Sequence, residues 1–224
     1  MKRIAAASLF IILLTLTAGA GFSFAENSPM VRLRGGIQGV IDIINDPQYK
    51  GHPEKQEEMT LKIRETIKDF FNFEELSKRA IGRPWLQFTP EEKKQFVELF
   101  TTILEKSYLG RIEEYSGEKV AFDKETIIKG KYAQVDTRLL TGKEDIPVFY
   151  RMKLVDGVWD VYDVKIEGIS LVRNYKTQFS GILDTTSEKS LSASKKELFA
   201  RLKQKCQELN NNNHANADSG KSSK

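Results

Sequence analysis

The chain has one cysteine, two histidines and six prolines in 224 residues. A lone cysteine cannot form an internal disulfide, so the fold must be held by its own core. Two histidines and one cysteine cannot assemble a Cys/His zinc site of the usual kind. No charge sign dominates: 35 Lys and Arg stand against 31 Asp and Glu. That balance excludes a dedicated nucleic-acid binder, whose basic charge would be concentrated. Gly-rich phosphate loops, metal-ligating helices and dinucleotide fingerprints are missing, so neither a cofactor nor a metal is expected. Beyond the N-terminus no apolar run is long enough to cross a bilayer. What the chain does have is aromatic bulk: 13 Phe, seven Tyr and two Trp. With 40% hydrophobic and 29% charged residues, it belongs with folded domains rather than disordered or collagen-like chains.

The N-terminus carries an address. Met1-Lys2-Arg3 is basic, Ile4 to Ala20 is apolar and uncharged, and Ser23-Phe24-Ala25 places small residues at −3 and −1 before Glu26. This is the three-part pattern of a secretory signal peptide over residues 1–25. A membrane anchor fits less well, because the run is short for a span of about 20 residues and the cleavage motif follows it directly. Losing Lys2 and Arg3 leaves a nearly neutral mature chain. A single domain is expected over residues 26–209. From Asn210 the composition turns to Asn, Ser, Gly and Lys, which predicts a disordered polar tail over 210–224. Cys206 is expected to be a solvent-facing thiol.

Periodicity divides the domain. Residues 26–30 read as a flexible lead-in. Ile37, Val40, Ile41 and Ile44 fall at helical spacing before Asp46-Pro47 ends the helix. Pro53 suits the start of a second helix, with Met59, Ile63, Ile67, Phe70 and Phe71 on one face. Asn72 and Glu75 suggest a capped third helix that stops at Gly82. Thr89, Pro90 and Glu92 form the clearest start signal, opening a helix from Pro90 to about Tyr115. From Gly117 the period becomes two. Four strands are expected: Val120–Ile128, Tyr132–Leu140, Ile146–Leu154 and Val158–Ile166, with Asp156-Gly157 as a hairpin turn. Trp159 and Val161 differ in parity from Val164 and Ile166, which predicts a bulge near Tyr162-Asp163. A helix capped by Ser170 follows, then a last helix over 188–209. The fold class is therefore α+β, a four-stranded antiparallel sheet packed against several helices.

Little of this carries catalytic chemistry, and no catalytic residue is assigned. Gly168-Ile169-Ser170-Leu171-Val172 lacks the final glycine of a nucleophile elbow, and Ser170 reads better as an N-cap. Asp163 and Glu167, four residues apart on a strand, would lie ~13 Å apart, beyond the ~5–9.5 Å of glycosidase carboxyl pairs. Asp163 beside Tyr162 and Tyr150 keeps one enzyme reading open, an aspartate base in an apolar pocket. The default for Asp163 is a salt bridge to Lys165 or Arg173. The apolar helix stripe and sheet face can pack solidly on each other or enclose a cavity. Periodicity does not choose between these.

One segment does. Trp159-Asp160-Val161-Tyr162-Asp163-Val164-Lys165-Ile166-Glu167-Gly168-Ile169-Ser170-Leu171-Val172-Arg173-Asn174-Tyr175-Lys176-Thr177-Gln178-Phe179 closely resembles the hallmark segment of MlaC-type periplasmic phospholipid-binding proteins, the toluene-tolerance auxiliary family. Phe71-Asn72-Phe73-Glu74-Glu75-Leu76 and Ile81-Gly82-Arg83-Pro84-Trp85 resemble the family's earlier motif, over a likeness spanning about residues 30–205. Asn72 stands where the family often has Asp, and Lys176 where it often has Arg. The resemblance implies an NTF2-like cone with an apolar cavity that holds acyl tails. It implies a soluble, monomeric periplasmic carrier that exchanges phospholipid between an outer-membrane lipoprotein/porin complex and an inner-membrane MCE-domain ABC transporter. Helix and strand parity then nominate the lining: Phe96, Phe100, Ile103, Leu104 and Tyr108 from the long helix, and Val135, Leu139, Val148, Tyr150, Met152, Leu154, Trp159 and Val161 from the sheet. The competing readings are the Asp163 enzyme and a protein-binding module with a filled core.

Overall fold

The computed structural model describes residues 27–113, 115, 117–183 and 190–219. The signal peptide, its cleavage point after Ala25 and the last five residues of the polar tail lie outside these.

Helix α1 (Pro29–Asn45) starts earlier than expected. Ser28 accepts from the Val31 N–H and Pro29 takes the first helical position, so the lead-in is itself a cap. Its start is also tied to the sheet: the Met30 N–H donates to Glu125, and the Asn27 amide donates to the Gly157 carbonyl. Helix α2 (Gln56–Phe70) packs antiparallel-wise in sequence order against α1, at close range. Gly36 makes this possible, since a Cβ there would collide with the Phe70 ring, and Gly39 lies against Thr66. Asn72 caps α3 (Phe73–Ile81), accepting from the Glu75 N–H at 2.8 Å, and Gly82 ends it at φ 73°. Helix α4 (Pro90–Glu113) opens on a reciprocal capping box: the Glu92 N–H donates to Thr89 Oγ1, and the Thr89 N–H donates to Glu92 Oε2.

The sheet is an antiparallel meander of five strands rather than four. Its order is β1 (Lys119–Ile128), β2 (Tyr132–Leu140), β3 (Asp145–Val155), β4 (Val158–Ile166) and β5 (Ile169–Ser170). Strand β5 has only two residues, too few to express a period of two in sequence. It pairs with β4 across Glu167-Gly168, both at positive φ (48° and 86°). The bulge falls where parity placed it: Arg151 pairs with Asp163 and Met152 with Val161, leaving Tyr162 as the extra residue. A second bulge sits on β1 at Asp123.

Helices α5 (Leu171–Ile182) and α6 (Leu191–Ser219) complete the chain. Ser170 is the N-cap of α5, accepting from the Arg173 N–H. Helix α6 continues through Asn210, where composition predicts disorder, because extending an established helix fixes one residue per hydrogen bond gained. Cys206 is not solvent-facing. It is half-buried, its Sγ lies 3.6 Å from the Leu99 carbonyl, and burial pushes the thiol pKa up.

Two apolar clusters result. One joins the inner sheet face to α1 and α2 around Leu33, Ile63, Phe70, Val135, Met152 and Val161. The other joins α3 to the N-terminal part of α4, α5 and α6 around Leu76, Trp85, Phe96, Phe100, Phe179 and Leu198. Helix α4 has 24 residues and is about 36 Å long, enough to serve both.

Candidate functional site

Strand pairing builds the inner face of the sheet in cross-strand rows. Ala133, Met152 and Val161 form one row, and all three are buried. Val135, Tyr150 and Val164 form the next, then Thr137, Val148 and Ile166, with Val120 opposite Leu139 beyond. The first row is sealed within the cluster that holds Leu33, Ile63 and Phe70. Beyond it the helices stand off the sheet and leave a hollow of about 590 Å³. That volume lies within the range of about 300–1,000 Å³ typical of ligand cavities.

The wall comes from five helices and four strands. Helix α1 contributes Ile37, Val40, Ile41 and Ile44, and α2 contributes Arg64, Ile67 and Phe70. The C-terminal half of α4 contributes Leu104, Glu105, Tyr108, Leu109 and Ile112. Phe71 and Phe73 flank the α2–α3 link, Leu76 and Leu171 come from α3 and α5, and Tyr115 and Glu118 from the segment before β1. The sheet supplies Val120, Thr137, Leu139, Val148, Tyr150, Val164 and Ile166.

Of the residues nominated from sequence, Leu104, Tyr108, Leu139, Val148 and Tyr150 stand in this wall. Phe96, Phe100 and Ile103 do not. Phe96 and Phe100 lie one to two turns before Leu104 and Ile103 directly precedes it; all three are packed into the second cluster, to which Leu104 also belongs while reaching the hollow. Met152, Leu154, Trp159 and Val161 face the correct side of the sheet but belong to its sealed end, and Val135, in the row of Tyr150 and Val164, is fully buried and does not line the hollow. The α1 stripe, Ile67, Phe70 and Phe71 were visible as helix faces without being read as a wall. The bulge at Tyr162 resets the parity of β4, so Val164 and Ile166 share the inner face with Val161. That parity break was the available signal for them.

The polar inventory of the hollow is small. Thr137 Oγ1 donates to the Val148 carbonyl at 2.9 Å, leaving its methyl to the interior. Burial pushes the Tyr150 hydroxyl pKa up to about 12, so it stays protonated at any physiological pH. The charged members are Arg64, Glu105 and Glu118. Among the described residues no group of three or more His, Cys, Asp or Glu is placed to hold a metal ion.

Asp163 is not in the wall. Its carboxylate accepts from Ser170 Oγ at 2.7 Å and from the Val172 N–H at 3.0 Å, with Arg151 at 3.6 Å. Neither Lys165 nor Arg173 is its partner through a side chain. The group ties β4 to the start of α5, a structural role that uses both of its oxygens.

The family described as MlaC protein matches residues 36–214. The intermembrane phospholipid transport system binding protein MlaC of Haemophilus influenzae is 22% identical over 169 residues, covering 72% of this chain and 78% of the relative. The toluene tolerance protein ttg2D of Pseudomonas putida is 28% identical over 93 residues, 41% of this chain and 43% of the relative. Among solved structures, the phospholipid-binding protein of Ralstonia solanacearum, in complex with a phospholipid, superposes with a TM-score of 0.69. The match is 22% identical and covers 81% of this chain and 98% of that one. This likeness establishes a shared fold.

Proposed function

The chain belongs to the MlaC family, and on that premise we propose that it is a periplasmic phospholipid carrier whose hollow holds the acyl tails. The observation that carries the reading is the hollow itself: about 590 Å³ walled by aliphatic and aromatic side chains, under a sheet whose other end is fully packed.

The physical need is large. Two acyl chains carry about 30 methylenes, and exposing them to water costs on the order of 20 kcal/mol at about 0.8 kcal/mol each. A free lipid therefore does not cross an aqueous gap on its own. A carrier must cover the tails about as well as a membrane does, and no better, so that uptake and release both remain near balance. Apolar walls do this, because hydrocarbon gains nearly the same transfer free energy in the hollow as in a bilayer. A wall dominated by Ile, Leu, Val and Phe has no hydrogen-bonding pattern to demand one particular tail.

In this reading the signal peptide delivers the chain to the periplasm. There it exchanges lipid, as a monomer, between an outer-membrane lipoprotein/porin complex and an inner-membrane MCE-domain ABC transporter. The known relatives named for intermembrane phospholipid transport and toluene tolerance support this direction. Native mass spectrometry of the purified mature protein, followed by lipid extraction, tests it. The expected result is about one phospholipid per folded chain. A lipid-free protein that takes up none from vesicles contradicts the carrier reading.

A further inference from the structure

Helix α1 is held to the rest of the domain unevenly. Its polar ties gather at its start. The Asn27 amide donates to the Gly157 carbonyl and the Met30 N–H to Glu125. Arg32 pairs with Asp69 at 2.8 Å and with Asp160 at 3.8 Å, and the Arg34 guanidinium lies 4.1 Å from the centre of the Phe122 ring. These ties reach β1, α2, β4 and the turn before β4, so the start of the helix is fixed from several directions. From Ile37 onward the helix bonds to itself: Gln38 donates to Asp42, and the Asn45 amide donates to the Ile41 carbonyl. What this second half gives the domain is apolar. Val40 is buried, and Ile37, Ile41 and Ile44 stand partly buried in the wall of the hollow.

Between the two halves stand Gly35 and Gly36. Close packing explains the second, because a Cβ on Gly36 would collide with the Phe70 ring. Packing does not explain the first. Gly35 is exposed, and a Cβ there would meet nothing within 4 Å. An alanine would fit and would strengthen the helix, since glycine is the poorest helix former after proline. Adjacent small residues of this kind are among the few local causes of a sharp helix bend. A fixed start, two glycines and an apolar second half bordering a hollow are the parts of a hinge.

Resting on the carrier reading, we propose that α1 bends at Gly35-Gly36, and that Ile37–Asn45 is a gate whose opening sets the rate at which phospholipid enters and leaves the hollow. Phe70 is the fulcrum, because it touches Gly36 and also lines the hollow. Closed, the gate completes the apolar wall. Opening exposes Ile37, Ile41 and Ile44 to water, which keeps the open state a minor one. Gly35 lowers the cost of the bend. It stands outside the wall, so it speeds exchange without changing how well the closed hollow covers the tails.

The test compares Gly35→Ala with Gly110→Ala. Gly110 lies within α4, is exposed, and likewise has nothing within 4 Å of where a Cβ would stand. Both changes are expected to raise the thermal midpoint by about 2–4 °C. Mature protein is loaded with phosphatidylethanolamine carrying a fluorescent acyl chain, and its transfer to quencher-containing vesicles of phosphatidylethanolamine and phosphatidylglycerol is timed. Gly35→Ala is expected to slow transfer about fivefold, the factor that one glycine's helix penalty corresponds to, at unchanged lipid per chain. Gly110→Ala is expected to transfer at the wild-type rate. Amide hydrogen exchange on the lipid-free protein reads the hinge separately: the Ile37–Asn45 amides should exchange about fivefold more slowly in Gly35→Ala and at the wild-type rate in Gly110→Ala. Equal transfer rates in all three proteins, or equal slowing by both variants, overturns the gate. Protein that takes up no lipid contradicts the carrier reading instead, and amide exchange then decides the hinge alone: unchanged exchange in Gly35→Ala overturns it.

Discussion

The two apolar clusters use similar side chains and end in different states. Around α3 to α6, Trp85, Phe88, Phe96, Phe100 and Phe179 meet ring to ring with centroids 5.2 to 6.3 Å apart. Helices surround that cluster, and Lys195 on α6 closes it by pairing with Glu92 at the start of α4. Beneath the sheet, Ile37, Ile41, Ile44 and Ile112 are equally apolar but only partly buried, because they border a hollow. Only the end of this cluster near Met152 and Val161 is solid. Hydrophobicity decides which faces turn inward. Whether they fill the space depends on how many elements arrive to cover them.

Val148→Glu or Leu139→Glu puts a carboxyl into the hollow and is expected to cut copurified phospholipid by about tenfold or more, since a charge among acyl chains is poorly solvated. Unchanged lipid in the folded variant would remove that residue from the wall. Phe100→Ala should do the reverse. It opens a cavity in the solid cluster and is expected to cost about 3–5 kcal/mol in denaturant unfolding, with lipid per folded chain unchanged. Equal lipid loss in both variants would erase the distinction between the clusters.

A smaller effect sharpens the boundary. Gly36→Ala drives a methyl into the Phe70 ring and is expected to cost about 1–3 kcal/mol. Because Phe70 lines the hollow, lipid retention should fall along with stability. A neutral Gly36→Ala would mean that α1 is not pinned to α2 at this point.

The smallest effect concerns Glu75, which ties α3 to the sheet through Lys153 at 2.8 Å and also pairs with Arg79 on its own helix. Burial alone would raise its carboxyl pKa, but the Lys153 hydrogen bond and the Arg79 charge outweigh that and hold it below the ordinary value of 4.5. A depressed carboxylate stabilises the fold above its unfolded pKa, and that contribution disappears as pH falls through the lower folded value. The thermal midpoint gap between wild type and Glu75→Gln should therefore be full near pH 6 and shrink toward pH 3. A gap independent of pH would mean that the charge contributes nothing.

Much of the architecture was legible because its signals are local. The Asn72, Thr89 and Ser170 caps, the Asp156-Gly157 turn and the parity break at Tyr162 each act within a few residues. What stayed hidden depends on distant packing. Phe96 and Tyr108 lie on one continuous stripe of α4, yet Phe96 is fully buried in the second cluster, whereas Tyr108 is only partly buried against it and also borders the hollow. Val135 and Leu139 share a strand face and differ in the same way, according to what α1 and α2 cover. The α1 stripe was equally readable, but nothing local says that it borders empty space. Strand β5 was too short to announce itself. Ser28-Pro29 was a cap signal that the flanking polar residues obscured.

On the proposed reading, hydrocarbon occupies the hollow and not the other cluster. The most direct measurement is intermolecular NOE spectroscopy on deuterated, methyl-protonated protein loaded with protonated phospholipid. NOEs are expected from acyl methylenes to the methyl groups of Ile41, Ile44 and Val148, and none to those of Leu198 or Leu202. Bound lipid whose chains contact Leu198 and Leu202, or contact no methyl of α1 and the inner sheet, would contradict it.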